Sequence, residues 1–135
     1  MNKSLVSKIT LQTLVLVCFA VGCGWAGAAD VTRQEIQRSD VPGTDLETRL
    51  YLITFPPGAV APVHHHPVDG LGYIVEGMAE SAYGNDAPVT LRAGQSFHDL
   101  AVVSHTLFRN ADPDKPLKFL VAYTVKKGAP VIEVP

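Results

Sequence analysis

Beyond residue 29 this chain has no cysteine and no tryptophan; Cys18, Cys23 and Trp25 all fall in the N-terminal stretch. Without thiols the remaining chain forms no disulfide and offers no thiolate ligand, so any bound metal must sit on nitrogen and oxygen. A basic run is also missing, Lys126-Lys127 being an isolated pair. From Asp30 onward nine Lys and Arg face thirteen Asp and Glu, a net charge of roughly −4. That balance argues against nucleic acid or an anionic membrane as partner. Long helical periodicity, a repeat at solenoid spacing and a low-complexity tail are absent too, which excludes helical bundles and repeat arrays. The 135 residues suffice for one domain and not for two.

The N-terminal stretch carries its own pattern. Lys3 and Lys8 precede a mostly apolar run over residues 9–21, and Ala26, Gly27, Ala28 and Ala29 supply small residues after it. This is the layout of a secretory signal peptide, cleaved after Ala28 or Ala29. The apolar run is shorter than the ~20 residues of a spanning helix. A lipoprotein reading would make Cys23 the first mature residue, with Ala20 a poor match to the large aliphatic residue usual there. The expected organisation is therefore a signal peptide over residues 1–29 and a single domain over 30–135, exported to a periplasm or secreted. Export permits disulfides, yet none is available, so the core must supply the stability alone.

What the rest contains is a series of short β-forming runs separated by turn clusters. Runs over residues 31–37, 49–55, 62–66, 72–76, 78–83, 88–92, 96–100, 105–109 and 117–125 are bounded by Pro56-Pro57-Gly58, Pro67, Gly77, Gly84-Asn85-Asp86 and a Pro-rich loop at 111–116. Such spacing predicts an all-β sandwich or barrel with little helix. The last residues, 128–135, suit an edge strand or an arm.

All five histidines lie between positions 64 and 105, three of them consecutive. On extended backbone successive side chains alternate faces, so His64 and His66 share a face and His65 takes the other. Two imidazoles at that spacing can grip one metal ion, and His105 can close the site if the fold returns it. Solvated surface histidines, or a loose histidine tract, are the simpler alternative.

These residues also carry a resemblance. Gly58, five residues, His64-x-His66 and a closing Gly77 resemble the first motif of the cupin family. Gly94, His105 and Asn110 resemble its second motif, with Asn110 one residue late. The resemblance spans about residues 31–125 and implies a small single-domain cupin, a jelly-roll β-barrel of two antiparallel sheets with its core over about 46–125. It also implies that His64, His66 and His105 ligate a divalent transition metal: Fe, Zn, Mn, Cu or Ni.

Three positions depart from the pattern. Gly70 stands where the first motif has glutamate, and Leu100 and Val102 stand where the second has proline and glycine. The adjacent Asp69 is one residue off, which on a strand is the opposite face; it and Gln95 remain weaker ligand candidates. Three neutral imidazoles would leave the ion its full charge to polarise a bound oxygen. Within the family such sites resemble those of iron-dependent dioxygenases that act on thiols or β-dicarbonyl compounds. Export is awkward for ferrous iron and favours zinc, copper or manganese.

Among other side chains, His98 is a candidate acid–base group or fourth ligand, and otherwise a rim histidine held by Asp99. Tyr73 is a candidate for orienting a substrate. Phe55, Phe97, Phe108 and Phe119 are expected to pack the interior or wall an apolar pocket, and Asn110 to fix a loop. The expected function is a metal-dependent small-molecule enzyme, an oxidoreductase of dioxygenase type. The alternative is a non-catalytic protein that binds or senses a small molecule or metal, since one fold hosts many functions. A homodimer is expected, with the terminal arms covering sheet edges.

Overall fold

A computed structural model of the chain describes residues 30–135. The signal peptide expected over residues 1–29 lies outside the described residues. Eight strands form, and no helix among the described residues. They are β1 (Thr32–Asp40), β2 (Leu46–Phe55), β3 (Gly70–Glu76), β4 (Met78–Tyr83), β5 (Val89–Arg92), β6 (Ser96–Asp99), β7 (His105–Asn110) and β8 (Leu117–Lys126). One sheet has the order β1-β2-β8-β3-β6 and the other β5-β4-β7, with antiparallel pairing throughout. This is the all-β, two-sheet architecture expected for a jelly roll.

The long central pair β2 and β8 shows why the sheets close on each other. Buried residues alternate with half-buried ones along β2 and with half-buried or exposed ones along β8, the period-2 signature of a sheet with one face on a core. Ile53, Phe55, Leu117, Phe119 and Val121 point inward from this pair and meet Ile74 of β3 and Phe108 of β7. Each such side chain stabilises the fold by about 1.5–3 kcal/mol on leaving water. Phe55, Phe108 and Phe119 pack with ring centroids 5.1–5.9 Å apart at tilted or edge-on angles, which suits the ring quadrupoles.

Turns and arms then carry the site. Gly77 joins β3 to β4 with φ 85°, and a Cβ there would press on the Pro116 carbonyl, so the hairpin requires glycine. The run over 62–66 forms no full strand. Its histidines instead make isolated bridges: His64 to His105, His65 to Glu133 and His66 to Ala101. The alternation expected of extended backbone survives, with His64 and His66 buried and His65 half-buried. The C-terminal arm folds back on its own chain, where Glu133 pairs with His65 through two backbone hydrogen bonds of 2.9 and 3.0 Å. Asn110 fixes the loop before β8: its side-chain amide donates to the carbonyls of Phe55, Pro56 and Lys115.

Candidate metal centre

His64, His66 and His105 converge in the interior, each offering a ligand nitrogen within 4.8 Å of the other two. The arm at 62–66 supplies the first pair by strand alternation, and the start of β7 supplies the third across the His64–His105 bridge. Second partners fix which nitrogen of each ring is left over. His64 Nδ1 lies 2.7 Å from the Pro62 carbonyl and His66 Nδ1 lies 2.7 Å from the Val131 carbonyl. A carbonyl only accepts, so both Nδ1 atoms carry the proton and both Nε2 atoms keep their lone pairs. His105 is held at its other nitrogen, with Nε2 2.8 Å from Ser81 Oγ. This is how ligating imidazoles are oriented by partners behind them.

Two of the freed atoms, His66 Nε2 and His105 Nδ1, are buried and have no hydrogen-bond partner among the described residues. A buried polar atom left unpaired costs about 1–3 kcal/mol. These two nitrogens, with that of His64 within 4.8 Å of both, are the donor set that a divalent transition metal fits. Burial, with the neighbouring His105 and His66 rings, holds His64 below the ordinary imidazole range against the opposing pull of the Pro62 carbonyl. A neutral ring is what ligation needs.

Asp99, which local sequence patterns do not single out as a ligand, stands beside two of the three histidines. Its Oδ2 is 3.1 Å from His66 Nε2 and its Oδ1 is 3.4 Å from His105 Nδ1. Neither approach has hydrogen-bond direction, which is why both nitrogens remain unpaired. Tyr83 donates to Oδ1 at 2.7 Å and Tyr123 donates to Oδ2. The same two rings stack on the histidines, Tyr83 on His105 at 4.1 Å and Tyr123 on His66 at 5.2 Å. Burial alone would raise the Asp99 carboxyl; His105, His66 and the two tyrosine hydroxyls outweigh it and hold the group down at about 2. Burial, then the Asp99 charge, pushes both tyrosines well above their usual range, so they stay protonated donors.

The remaining candidates lie elsewhere. His98 is exposed, on the opposite face of β6 from Asp99, and lines only a shallow outer depression with Leu71 and Ser96. Tyr73 is 47 % exposed on the outer face of β3. Asp69 accepts from the Ala101 amide at 2.6 Å and Gln95 from the Arg92 amide at 2.6 Å, so both fix turns and neither reaches the histidines. His65 pairs with Glu133 at 2.7 Å near the surface.

The histidines line one wall of a cavity of about 270 Å³ whose other walls include Phe55, Phe97, Phe108 and Phe119. The four phenylalanines wall the interior as expected, whereas Tyr73, the candidate for orienting a substrate, faces outward and does not line the cavity. Arg33 of β1 lines the mouth, exposed to solvent. A mostly apolar cavity with a few convergent polar groups is the usual form of a small-molecule site.

The cupin domain family model matches residues 51–123, more than half of the chain, and the chain belongs to that family. Among curated proteins none matches significantly. Similar solved structures include a cupin-like protein from Thermotoga maritima, 23% identical with a TM-score of 0.63, covering 78% of this chain and 75% of that one. A DMSP lyase from Ruegeria pomeroyi is 23% identical with a TM-score of 0.55 over 64% of this chain. An oxalate decarboxylase from Lactobacillus farciminis is 24% identical with a TM-score of 0.54 over 64% of this chain. The chain spans 42% of that lyase and 26% of that decarboxylase. At these identities the likeness concerns the fold.

Proposed function

We propose that this protein is a metal-dependent enzyme acting on a small molecule with an anionic or carbonyl oxygen. The observation that carries the proposal is the pair of buried, unpaired imidazole nitrogens on the wall of a mostly apolar cavity. His64, His66 and His105 would hold the ion. When bound, a divalent ion supplies Lewis-acid polarisation of a substrate oxygen.

The chain's own groups do the rest. The phenylalanine walls give the histidines an apolar surrounding, which strengthens charge interactions beside it. Arg33 at the mouth attracts an anion toward the cavity. The Tyr83 and Tyr123 hydroxyls, each donating to Asp99, keep that carboxylate ionised and fixed in place.

The reaction class is wider than the dioxygenase type expected from three neutral ligands. A carboxylate stands beside the histidines, and the similar folds include a lyase and a decarboxylase. Export of the chain and pairing into a homodimer belong to the same proposal. The lysine-flanked apolar leader supports the first, and the apolar outer face of β3, with Leu71, Tyr73 and Val75 exposed, supports the second.

The test is a turnover screen of metal-loaded wild type and His64→Ala against small carboxylates, thiols and β-dicarbonyl compounds, with an oxygen electrode in parallel. Metal-dependent consumption of one class, lost in the variant, is the expected result. Oxygen uptake alongside it selects the dioxygenase type; consumption without uptake selects lyase or decarboxylase chemistry. A metal-loaded protein that binds small carboxylates and turns over no compound of the panel would point instead to the binding role.

A further inference from the structure

We infer that Asp99 is the carboxylate ligand of this site, moved across the sheet from the strand where the first motif places a glutamate. The inference rests on the metal-binding reading above and extends it to a residue outside the three-histidine set.

Three observations on different parts of the molecule meet here. The first is register. Gly70, at the motif's glutamate position, is the direct cross-strand partner of Asp99 in the β3–β6 ladder. Residues directly opposite each other on one sheet point to the same face, so an acid at 99 reaches the interior region that an acid at 70 would reach.

The second is exclusion. A Cβ at residue 70 would overlap Tyr123 Cε1 and meet Asp99 Cβ at 3.0 Å. Tyr123 is buried, stacked on His66 and tied to Asp99 through its hydroxyl, so its ring has little room to yield. Glycine at 70 and aspartate at 99 are thus two halves of one arrangement: the side chain lost from β3 leaves the space that the ring and the relocated carboxylate fill.

The third is distance and polarity. Two ligand atoms at about 2.1 Å from one ion stand about 3.0 Å apart at a right angle and about 3.4 Å apart at the tetrahedral angle. Asp99 Oδ2 lies 3.1 Å from His66 Nε2, and Oδ1 lies 3.4 Å from His105 Nδ1. The proton of His66 is on Nδ1, facing the Val131 carbonyl. A lone-pair nitrogen and a carboxylate oxygen thus stand 3.1 Å apart inside the protein with no hydrogen bond to join them, an arrangement that a cation bonded to both from one side would relieve. The three imidazole nitrogens already lie within 4.8 Å of one another, and Asp99 is close to two of them; once its carboxylate closes on the ion they share, the ligand set is three neutral imidazoles and one carboxylate. That set lowers the charge left on a divalent ion by one, and it moves the site away from the all-neutral type.

Zinc affinity is measured by competition with a chromophoric chelator for wild type, Asp99→Asn and Asp99→Glu, with thermal melts to confirm folding. The structure of the zinc-loaded wild type is determined alongside. We expect Asp99→Asn to lose about 100-fold or more in affinity, at or beyond the upper end of what loss of an outer partner costs. Asp99→Glu, which keeps the charge, should stay within about tenfold of wild type. In the zinc-loaded structure an Asp99 oxygen should lie about 2.0–2.2 Å from the ion. A smaller loss in Asp99→Asn, or a zinc ion held by the three histidines with Asp99 out of its reach, overturns the inference and leaves the three-histidine site standing. A wild type that takes up no zinc or other divalent transition metal overturns the metal reading itself. Should Asp99→Asn not fold, the zinc-loaded wild-type structure decides alone.

Discussion

The two arms that build the site work by different rules. The arm at 62–66 anchors its histidines through backbone: His64 to the Pro62 carbonyl and His66 to the Val131 carbonyl. No side-chain substitution at Pro62 or Val131 removes those acceptors. The arm from Asp99 to His105 anchors through side chains instead, His105 to Ser81 and Asp99 to Tyr83 and Tyr123. It also carries a strained turn, since Val102 has φ 55° at the position where the family's second motif has glycine. The first arm is thus fixed by chain geometry and the second by a polar network, and the second is the one that substitution can tune.

The sharpest way to break the comparison is to restore the motif residue. Gly70→Glu puts a carboxylate where the family has one, but into the space of the Tyr123 ring and Asp99. A loss of about 3 kcal/mol is expected in denaturant unfolding. Full stability together with tighter metal binding would mean that the two carboxylate positions are interchangeable.

Next in size is Ser81→Ala, which removes the side-chain anchor of His105 while leaving the backbone-anchored pair intact. Loss of such an outer partner is expected to weaken metal binding by 10–100-fold, about 1.4–2.7 kcal/mol, in a chelator competition. An unchanged affinity would show that bridging to His64 orients His105 without Ser81.

Val102→Gly relieves the turn between Asp99 and His105. A β-branched residue in the left-handed region costs about 1–3 kcal/mol, partly offset by the added freedom of glycine in the unfolded chain. A net gain of about 1 kcal/mol is expected in thermal or denaturant unfolding. A loss would indicate that the Val102 side chain contributes contacts worth more than the strain. The smallest effect belongs to His65→Ala. It removes the near-surface pair with Glu133, expected to cost at most about 1 kcal/mol and to leave metal affinity unchanged. A large loss of affinity would bring His65 into the site.

The same contrast explains what was legible in the amino-acid sequence. The strands, the two-sheet fold and the His64, His66 and His105 set follow from short β-forming runs, period-2 alternation and motif spacing. All of that is local information, or comes from a resemblance. Asp99 needed the β3–β6 register, which pairs it with Gly70 and which no local pattern reveals. One signal was available: on β6 Phe97 and Asp99 share a face and His98 takes the other, so an inward Phe97 carries Asp99 inward and turns His98 out. Tyr73 misleads for a related reason. The inward positions of β3 are Gly70, Gly72 and Ile74, so its largest side chain faces solvent. The interior volume those two glycines vacate is taken by Tyr123 and Phe97 from neighbouring strands.

The most direct test of the metal centre is the metal content of tag-free protein. Wild type, His64→Ala and His105→Ala would each be equilibrated with divalent transition metals, dialysed and assayed by elemental analysis, with circular dichroism to confirm the fold. About one ion per chain is expected in wild type, and its loss in both variants, because each removes a ligand from a different arm. Wild type emerging without metal, or either variant retaining its full complement, would contradict a metal centre built on these histidines.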